Sequence, residues 1–573
     1  MTGFGHSSIL INNTLDRFVR AGRGGLSMTD IKAALDYPED DVRRYKEAGY
    51  WTDAIPHNVL AEWAKKTPDA PALIGPNTSL SYADLNEKSR RFASGLLGVG
   101  IRRGDVIGLQ LPNIPEFLIA YLGAQMMGAV PCMFHMPYRS GELETMIAHV
   151  RPRAIVCVGA SEKYDAPALM RQLRERSPTL EAIIVVGGQA PAGCLAFDHL
   201  SSTDIVEISD KPEADDPAVI LFTSGTSAQP KAVVHGHRTL TASSFHTGAR
   251  MGITARDVVL CAPAHTHAFG LCIAVTILLS GAANVLLPEY SPQALAKTIQ
   301  RAKPTVILCG FAHIQAGLGA RLWGPDVTRS VERVFTGGAF CPPEVLRSLE
   351  AALSGGKVFQ VWGMTEVWMP ILHDLRAPME LRATSLGLPP VGHEVRVAAS
   401  DGTVPAPGEE GELQMRGPFL MARYYGNDPA TREAFTDDGW FRTGDMATID
   451  ENGFIAITGR LKDVINRGGI KINPLDIEAL MDAHPAVQIS AVVPMPDEML
   501  GERACLFVQP VPGRVLTLDK VCEYLAANNV AKLRWPERLE FIEAMPMTAT
   551  RKVTKRKLVE ILKQRTAMPE AQV

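Results

Sequence analysis

The feature that most constrains this chain is an apolar strand that runs directly into a loop rich in hydroxyl groups and glycine. The apolar run Ala218–Ile220 leads into the stretch from Leu221 to Lys231, which ends in Pro230-Lys231. Such a loop can offer backbone N–H groups, side-chain hydroxyls and one ammonium group to a polyphosphate, and a glycine lets the backbone approach the ligand closely. We therefore predict a nucleotide-phosphate loop, with these phosphate-binding residues: Thr223, Ser224, Gly225, Thr226, Ser227 and Lys231.

The spacing from Gly225 to Lys231 resembles the Walker A loop, but two positions argue against that class. The second glycine of that motif is replaced by Pro230, which has no N–H to give to a phosphate. The residue after the lysine is Ala232, which cannot ligate magnesium. A Walker-type ATPase is therefore disfavoured. Taken alone, the segment is also compatible with a plain surface connection.

Length and composition bound the class of protein. The 573 residues are enough for about three to four domain-sized units, and a net charge of -4 gives no argument for nucleic-acid binding. The nine cysteines form no C-x-x-C pair, which indicates core thiols in a reducing compartment and neither disulfides nor a metal site. The sequence shows no secretory signal and no transmembrane segment, and we expect a cytoplasmic enzyme.

Short apolar strands alternate with helix-length segments from about residue 56 onward. Examples of the strands are Asp105–Gln110, Ala154–Val158, Val258–Cys261 and Thr305–Cys309. Near-continuous apolar strands alternating with helices indicate sheets that are covered on both faces, and hence a layered α/β fold.

The pattern of predicted strands, turns and helices changes twice later in the chain, which indicates further subdomains. Between about Gly392 and Gly417 short strands are separated by Asp-Gly and Pro-Gly turns, which predicts a small antiparallel β subdomain. Strands and helices then alternate again, which predicts a small α+β domain at the end. The predicted domains are an N-terminal leader packed on the main body, 1–55; a large multi-subdomain α/β domain, 56–460; and a small C-terminal domain, 461–573.

Further motifs follow the phosphate loop in order. Together they resemble the adenylate-forming superfamily, which contains acyl-CoA and aryl-CoA ligases, adenylation domains of peptide synthetases, and luciferases. The loop resembles the T-S-G-T-[ST]-x-x-P-K signature of that superfamily, and the likeness covers residues from about 56 to 565. Within the superfamily we favour the acyl- and aryl-CoA synthetase branch. The other matching segments are Gly337–Ala339, Val361–Glu366, Thr443–Asp445, Gly459–Asp463, Gly468–Ile472 and Pro546–Lys552.

The resemblance implies a role for individual residues. Lys552 would stabilise the charge that develops between the acid's carboxylate and the α-phosphate. Glu366 and Thr226 would act in catalysis by ligating magnesium. Lys462 would be the hinge about which the small domain moves, and Gly337 would border the acid. The residues implied to contact the nucleotide or pantetheine are Gly338, Ala339, Trp362, Gly363, Met364, Thr365, Asp445, Arg460 and Gly469.

Two positions depart from the superfamily's pattern. Trp362 stands where tyrosine is usual, and because either ring can stack on adenine we treat this change as mild. Arg551 replaces the glycine before the catalytic lysine. This change keeps the spacing of the lysine, but it alters the backbone freedom of the loop. We interpret the following Lys555-Arg556-Lys557 as a solvated helix face in preference to a site for CoA phosphates.

The acyl pocket is expected at Pro263–Gly270, which corresponds to a P-x-x-H-x-x-G region with one additional residue. Counting back from the glycine selects His267, whereas counting forward from the proline selects Thr266. We predict His267 as the residue on the substrate side, with His265 as the second candidate. Either histidine is also compatible with an ordinary core position. The segment contains no Arg or Lys, which favours an acid with a neutral tail.

The resulting hypothesis is an ATP-dependent carboxylic acid–CoA ligase that acts through an acyl-adenylate and releases AMP and pyrophosphate. Its expected cofactors and co-substrates are ATP, Mg²⁺ and coenzyme A. Its expected acid is cyclic, aromatic or short- to medium-chain, and a homodimer is compatible with it. An enzyme that loads the acid onto a carrier protein is the alternative, and a luciferase-like oxygenase has much less support.

Overall fold

The computed structural model describes residues 31–223, 230–339, 341–548 and 552–567. The described residues form two compact units. Unit 1 comprises those within Met1–Tyr290, Met364–Trp368 and Pro418–Thr431, and unit 2 comprises those within Ser291–Gly363, Met369–Gly417 and Arg432–Val573. The domain boundaries predicted after residues 55 and 460 stay predictions.

Unit 1 contains a short 3₁₀ turn followed by alternating helices and strands. The 3₁₀ turn is Ala33–Leu35, and the helices are α1 (Glu39–Glu47), α2 (Pro56–Lys66), α3 (Tyr82–Gly98), α4 (Pro115–Met126), α5 (Ser140–Val150), α6 (Ala166–Arg176), α7 (Phe197–Leu200), α8 (His237–Met251) and α9 (Ala268–Ser280). The strands are β1 (Pro71–Ile74), β2 (Ser79–Ser81), β3 (Val106–Gln110), β4 (Val130–Met133), β5 (Ala154–Val158), β6 (Ala182–Val186), β7 (Leu195–Ala196), β8 (Pro217–Thr223), β9 (Lys231–Gly236), β10 (Val258–Cys261) and β11 (Ala283–Val285).

A seven-stranded sheet in unit 1 has the order β7-β6-β5-β3-β4-β8-β9. Its strands are parallel except for the β8–β9 hairpin. Strands β3 and β4 are buried along their whole length, as apolar runs inside a parallel sheet are. Helix α5 adds Leu143, Met146, Ile147 and Val150 to the same core, and this spacing places all four on one helical face.

A second group of strands in unit 1 pairs in the order β10-β11-β1-β2. It is parallel except at the β1–β2 edge, which is antiparallel. Helix α9 is buried from Ala268 to Leu279. A helix that is apolar all round has no solvent face and is therefore enclosed by its neighbours.

The described part of the N-terminal leader is tied to the segment that begins at Pro418, which also belongs to unit 1. The indole N–H of Trp51 donates to the carbonyl oxygen of Pro418 at 2.8 Å, and the hydroxyl of Tyr37 donates to that of Leu420 at 2.9 Å. The two rings pack edge to face, with centroids 5.1 Å apart. Hydrogen bonds therefore fix this part of the leader in addition to apolar contact.

Unit 2 contains the remaining elements, three of which begin or end within the Met364–Trp368 or Pro418–Thr431 segments. The helices are α10 (Pro292–Ala302), α11 (Phe311–Gly319), α12 (Pro325–Thr328), α13 (Pro343–Ala352), α14 (Met379–Thr384), α15 (Asp428–Ala434), α16 (Pro474–Asp482), α17 (Leu518–Ala527) and α18 (Lys555–Ala567), with 3₁₀ turns at Leu461–Asp463 and Lys532–Arg534. The strands are β12 (Val306–Gly310), β13 (Arg333–Gly337), β14 (Lys357–Met364), β15 (Trp368–Leu372), β16 (Glu394–Ala398), β17 (Glu410–Arg416), β18 (Phe441–Ile449), β19 (Ile455–Arg460), β20 (Ile465–Arg467), β21 (Ile470–Ile472), β22 (Val487–Asp497), β23 (Gly501–Pro510) and β24 (Arg538–Phe541).

Three sheet regions organise unit 2. Strands β12, β13 and β14 are parallel neighbours. Strands β16 to β19 form a four-stranded antiparallel sheet, which confirms the predicted β subdomain. Strands β20 to β24 form a five-stranded sheet with two cores. Val492 and Leu506 face the core that includes α16 and α17, whereas Val493 and Cys505 face the core that includes α18, as the alternation of side chains along a strand requires.

The α/β layering predicted from the sequence is confirmed. Strands β5 and β10 have the predicted bounds, and the bounds of β3 and β12 differ from the predicted ones by one residue. The apolar run from Phe117 to Phe134 is a buried helix followed by a strand. Among the described residues, no helix combines the length and the apolar character that crossing a membrane requires.

Candidate active site

The predicted phosphate loop connects the two strands of the β8–β9 hairpin. Strand β8 ends at Thr223 and β9 begins at Lys231, and these two residues are paired across the ladder. Both are half-buried. The structure therefore fixes the two ends of the loop, and the role of Thr226 as a metal ligand stays a prediction. The predicted residues that lie outside the described part of the chain are Ser224, Gly225, Thr226 and Ser227.

Glu366, the predicted magnesium ligand, is a buried carboxylate between β14 and β15. It is 6% exposed, and the hydroxyl of Tyr424 donates to its Oε1 at 2.7 Å. The ring of the same tyrosine lies against the ammonium group of Lys231, whose Nζ is 4.7 Å from the ring centroid. Tyr424 therefore contacts both charged groups that the sequence assigns to the phosphates and their metal ion.

The main chain around Glu366 is held by its neighbours in unit 1. Nε2 of His235 donates to the carbonyl oxygen of Thr365 at 2.7 Å, and the N–H of Met421 donates to that of Glu366 at 2.8 Å. Burial lowers the pKa of His235 to about 4, so the imidazole is neutral at pH 7. Trp368, which packs on His235, has a φ of 61°, a conformation that costs free energy in a non-glycine residue and is found preferentially at functional sites.

His265 and His267 precede α9 and lie in different environments. The backbone N–H of His265 donates to Oδ1 of Asn113 at 2.8 Å, and its buried ring packs on Phe117. Neither ring nitrogen of His265 has a hydrogen-bond partner among the described residues, and burial lowers its pKa to about 3. His267 is half-buried, and its Nδ1 accepts from the N–H of Phe269 at 3.2 Å, which caps the helix.

A further histidine contacts the same segment. Nδ1 of His135 lies 2.9 Å from Oγ1 of Thr266, and its ring centroid is 5.9 Å from that of His267. Burial lowers the pKa of His135 to about 4. His135 and His265 are therefore neutral at pH 7, and they bring no positive charge to the predicted acyl pocket.

In unit 2, the predicted adenine wall follows β13. Gly337 is buried at the end of the strand, whereas Gly338 and Ala339 are exposed. Gly338 has a φ of 84°, and a Cβ added to it would lie 3.6 Å from Cε of Lys552. The predicted catalytic lysine and the predicted adenine wall are therefore neighbours.

Asp445, the predicted ribose-binding carboxylate, is held by two other residues predicted to contact the nucleotide. Nε1 of Trp362 donates to its Oδ2 at 2.8 Å, and Nε of Arg460 lies 3.0 Å from its Oδ1. Asp445 and Arg460 face each other across the β18–β19 ladder. The indole N–H of Trp362 therefore orients the carboxylate, while the predicted stacking on adenine stays a prediction. Gly363 and Met364, both half-buried, end β14.

The remaining predicted residues lie outside the α-helices and β-strands. Lys462 is in the 3₁₀ turn after β19, and desolvation lowers its pKa. Gly469 is in the turn between β20 and β21, with a φ of 92°, and no atom of the described residues lies within 4 Å of a Cβ added to it. Lys552 is paired with Thr548: its N–H donates to Oγ1 at 3.0 Å, and it accepts from the N–H of Thr548 at 2.7 Å.

The interpretation of the Lys555–Lys557 cluster was wrong for its first residue. Nζ of Lys555 lies 2.8 Å from Oε1 of Glu478 and 3.7 Å from Oδ2 of Asp463, and the side chain is 22% exposed. Both partners are distant in sequence, so the local run of charge could not reveal them. Arg556 and Lys557 are exposed, as predicted.

The residues present fit a magnesium ion that is shared with a nucleotide. Among the described residues, no group of three or more His, Cys, Asp and Glu side chains is arranged to hold a metal ion. Mg²⁺ is commonly bound by one or two carboxylates together with substrate phosphates and water. The single buried carboxylate of Glu366, oriented by Tyr424, matches that set of donors, with the phosphates supplying further oxygens.

Sequence reasoning missed Tyr424, His235, Asn113 and His135. Tyr424 is 58 residues from Glu366, and Asn113 is 152 residues from His265, so no local spacing connects these pairs. His235 carries a signal that could have been used. It is a polar residue at the end of the apolar strand β9, where a buried polar group requires a hydrogen-bond partner.

Comparison with known proteins defines the class. The family model described as AMP-binding enzyme matches residues 60–425, and the model described as AMP-binding enzyme C-terminal domain matches residues 476–552. The chain therefore belongs to the AMP-binding enzymes, the adenylate-forming superfamily, and is an adenylating enzyme of that family.

Similar proteins span two kinds of acceptor. The salicyl-AMP ligase / salicyl-S-ArCP synthetase of Mycobacterium tuberculosis is 32% identical over 541 residues, which cover 92% of this chain and 94% of that protein. The medium-chain fatty-acid–CoA ligase of Escherichia coli is 30% identical over 536 residues, which cover 92% of this chain and 94% of that protein. The crystal structure of the anthranilate CoA ligase AuaEII with anthranoyl-AMP matches the fold with a TM-score of 0.81 at 22% identity, covering 90% of this chain and 98% of that chain.

Proposed function

We propose that this enzyme joins a carboxylic acid to the thiol of coenzyme A through an acyl-adenylate. The proposal rests on one observation: two carboxylates are each held in a fixed orientation by neighbouring side chains. Glu366 is oriented by Tyr424, and Asp445 is oriented by Trp362 and Arg460. One suits a metal-bound polyphosphate and the other suits the hydroxyls of a ribose, because both are acceptor groups with fixed geometry.

In the first half-reaction the acid's carboxylate oxygen attacks the α-phosphorus of ATP, and the bond to the β-phosphate oxygen breaks so that pyrophosphate leaves. Lys231, at the end of the phosphate loop, would hold the departing phosphates by charge. The ammonium group of Lys552 would stabilise the charge that develops between the carboxylate and the α-phosphate. Asp445 would accept hydrogen bonds from the ribose hydroxyls.

Glu366 would hold magnesium through a carboxylate oxygen. The ion, when bound, would supply positive charge that neutralises the β- and γ-phosphates. The chain's own part is to fix the direction of that carboxylate, which the Tyr424 hydroxyl supports.

In the second half-reaction the thiolate of CoA attacks the acyl carbon of the mixed anhydride, and AMP leaves. Lys462 would be the hinge for the rearrangement between the two steps. The β20–β21 turn would line the path of pantetheine, since Gly469 leaves open space where another residue would carry a side chain.

A neutral acid tail is supported by the charge state of the acyl segment. His135 and His265 are neutral at pH 7 because burial lowers both pKa values, to about 4 and about 3. A second carboxylate on the acid would therefore meet no positive partner among these residues. An aromatic, alicyclic or short- to medium-chain aliphatic acid matches this environment.

Transfer of the acid to a carrier protein is the second candidate. It is favoured by the 32% identity to a salicyl-AMP ligase / salicyl-S-ArCP synthetase over 92% of this chain. The nucleotide residues would have the same roles in that reaction, and only the origin of the attacking thiol would differ.

The test begins with a panel of aromatic, alicyclic and C4 to C12 aliphatic acids in a pyrophosphate-release assay. The best acid is then incubated with ATP and either CoA or a phosphopantetheinylated carrier protein, and AMP and the thioester are quantified. Glu366→Gln keeps the shape of the side chain and removes its charge. It is the loss-of-function variant for the adenylation step.

We expect acid-dependent pyrophosphate release that Glu366→Gln reduces strongly, with AMP release accelerated by CoA. Adenylation followed by transfer only to the carrier protein would replace the CoA ligase with the second candidate. No acid-dependent pyrophosphate release across the whole panel would overturn both.

A further inference from the structure

Tyr424 contacts two side chains that the proposed function assigns to Mg·ATP, although no sequence motif pointed to it. We propose that Tyr424 is a positioning residue for Mg·ATP. Its hydroxyl fixes the carboxylate of Glu366, and its ring fixes the ammonium group of Lys231. The inference rests on the proposed function, since it takes the roles of Glu366 and Lys231 from it.

The hydroxyl acts on Glu366 through a short hydrogen bond in a buried environment. The distance from the hydroxyl to Oε1 is 2.7 Å, and Tyr424 and Glu366 are 4% and 6% exposed. A hydrogen bond to a charged acceptor that is shielded from water is stronger than a neutral one. It fixes the rotation of the carboxylate about its last torsion, and therefore the direction in which both oxygens point.

The ring acts on Lys231 through a cation–π contact. Nζ of Lys231 lies 4.7 Å from the ring centroid, within the range over which an ammonium group is attracted to an aromatic face. Lysine has four rotatable side-chain bonds, so a fixed partner near its end restricts where the charge can lie. The same tyrosine thus sets the position of one negative and one positive group.

Backbone contacts hold Tyr424 itself in place. It forms an antiparallel bridge with Val233 of β9, two residues beyond Lys231. Its N–H donates to Oγ1 of Thr431 at 3.1 Å, and the N–H of the nearby Met421 donates to the carbonyl oxygen of Glu366 at 2.8 Å. Tyr424 is therefore attached to the strand that carries Lys231 and is close in the chain to a contact with Glu366.

The hydroxyl and the ring make separable predictions, which distinguishes positioning from simple core packing. Tyr424→Phe removes the hydroxyl and keeps the ring, so it should affect the metal side alone. Tyr424→Leu removes both, so it should also affect the phosphate side through Lys231. Tyr425→Phe is the matched control, because it deletes a hydroxyl from the next residue, whose ring packs on His149.

The experiment measures binding of a non-hydrolysable ATP analogue by calorimetry, with magnesium and with EDTA, for wild type and the three variants. For Tyr424→Phe we expect affinity for the Mg·analogue to fall about tenfold, a loss typical of a hydrogen bond to a charged group. Its affinity in EDTA should stay unchanged. Tyr424→Leu should lose affinity in both conditions, and Tyr425→Phe should match wild type. Thermal unfolding of the free proteins accompanies each titration.

The outcomes separate this inference from the proposed function. Wild-type binding of the Mg·analogue with no change in Tyr424→Phe overturns the positioning role alone. An equal loss with magnesium and with EDTA in Tyr424→Phe, together with a lower unfolding temperature, means a packing role and also overturns it. A wild-type protein that binds no Mg·analogue overturns the proposed function and this inference together.

Discussion

The contacts that orient His235 and His265 in unit 1 involve no ion pair, whereas Asp445 in unit 2 is oriented by an ion pair with Arg460 as well as by the indole N–H of Trp362. In unit 1, His235 donates to the carbonyl of Thr365, and Asn113 accepts from the backbone of His265. In unit 2, Asp445 is paired with Arg460. The difference teaches that two physical means of orientation coexist in one chain.

Each means of orientation responds to different conditions. Exposed ion pairs weaken as salt screens them, and the side chain of Arg460 is 49% exposed. Buried neutral imidazoles resist salt but respond to acid, because protonation places an unpaired charge in a buried position. The site contacts of the two units should therefore differ in their sensitivity to salt and to acid. The following variants compare residues of the two units.

The largest effect is expected from a comparison of Lys552 and Lys231, the two lysines to which the proposed function gives a role in adenylation. Lys552→Ala should reduce acid-dependent pyrophosphate exchange by about a thousandfold, because it removes the ammonium group that is proposed to stabilise the charge developing in the transition state. Lys231→Ala should reduce it by about tenfold, because a group that binds ground state and transition state alike changes the rate less. The exposed Lys557→Ala is the control.

The same variants are assayed for thioester formation from a supplied acyl-adenylate. Lys552→Ala should retain this second step. An equal loss of both steps in Lys552→Ala, or equal effects of the two lysine substitutions on exchange, would contradict the assignment of roles.

Two glycines, one in each unit, should differ in their tolerance of alanine. A Cβ on Gly270 would lie 2.1 Å from the carbonyl oxygen of Ala264, whereas the nearest atom of the described residues to one on Gly338 would be Cε of Lys552 at 3.6 Å. Gly270→Ala should therefore lower the free energy of unfolding by about 3 kcal/mol through overpacking. Gly338→Ala should lower it by about 1 kcal/mol through its positive φ. Urea unfolding measures both, and a larger loss for Gly338→Ala would contradict the packing argument.

Buried titratable groups in the two units should respond to pH in opposite directions. In unit 1, burial lowers the pKa of His235 to about 4 and that of His265 to about 3. Their unfolded forms bind protons more readily, so stability is lost as pH falls from about 6.5 towards 4. In unit 2, desolvation raises the pKa of Asp482 to about 7. Its contribution is present below about pH 4 and is lost as pH rises through 7.

Asp482→Asn should therefore stabilise the protein more at pH 8 than at pH 5, by about 2–3 kcal/mol. The exposed Asp519→Asn is the control. Unfolding temperatures at the two pH values measure the difference, and hydrogen exchange of peptides from β9 reports the acid response of unit 1. The same increment for Asp482→Asn at both pH values would refute the assignment.

The smallest effect is expected from the hydrogen bond that orients Asp445, the predicted ribose-binding carboxylate. Trp362→Phe keeps an aromatic ring but removes the donor to Asp445, which keeps its ion pair with Arg460. The KM for ATP should rise about fivefold, which corresponds to about 1 kcal/mol. Trp440→Phe is the control, because Trp440 stacks on Arg396 and Arg416. An unchanged KM in Trp362→Phe would mean that the ion pair alone orients Asp445.

The sequence predicted what depends on local pattern. The β5 strand follows from its apolar run, and a small antiparallel β subdomain follows from the short strands and turn residues between about Gly392 and Gly417; its third and fourth strands, β18 and β19, lie beyond the predicted range. Glu366 and Asp445 could be predicted as site residues because their motifs are contiguous in the chain. Tyr424 and Asn113 could not be found in this way, because their roles arise only when distant segments meet. Lys555 is a further example: the local run of basic residues predicts a solvent-exposed side chain, whereas the folded chain places it beside Glu478, which is distant in sequence.

The hydrogen bonds between the leader and the Pro418 segment also affect how the protein is synthesised. Trp51 and Pro418 are 367 residues apart, and Tyr37 and Leu420 are 383 residues apart. Chains emerge from the ribosome with the N-terminus first. The hydrogen bond from the Trp51 indole can therefore form only after Pro418 has been synthesised. The fold of unit 1 is therefore completed late in synthesis. Until then the nascent chain exposes the Tyr37 and Trp51 side chains that later contact the Pro418 segment, and chaperones would encounter this surface.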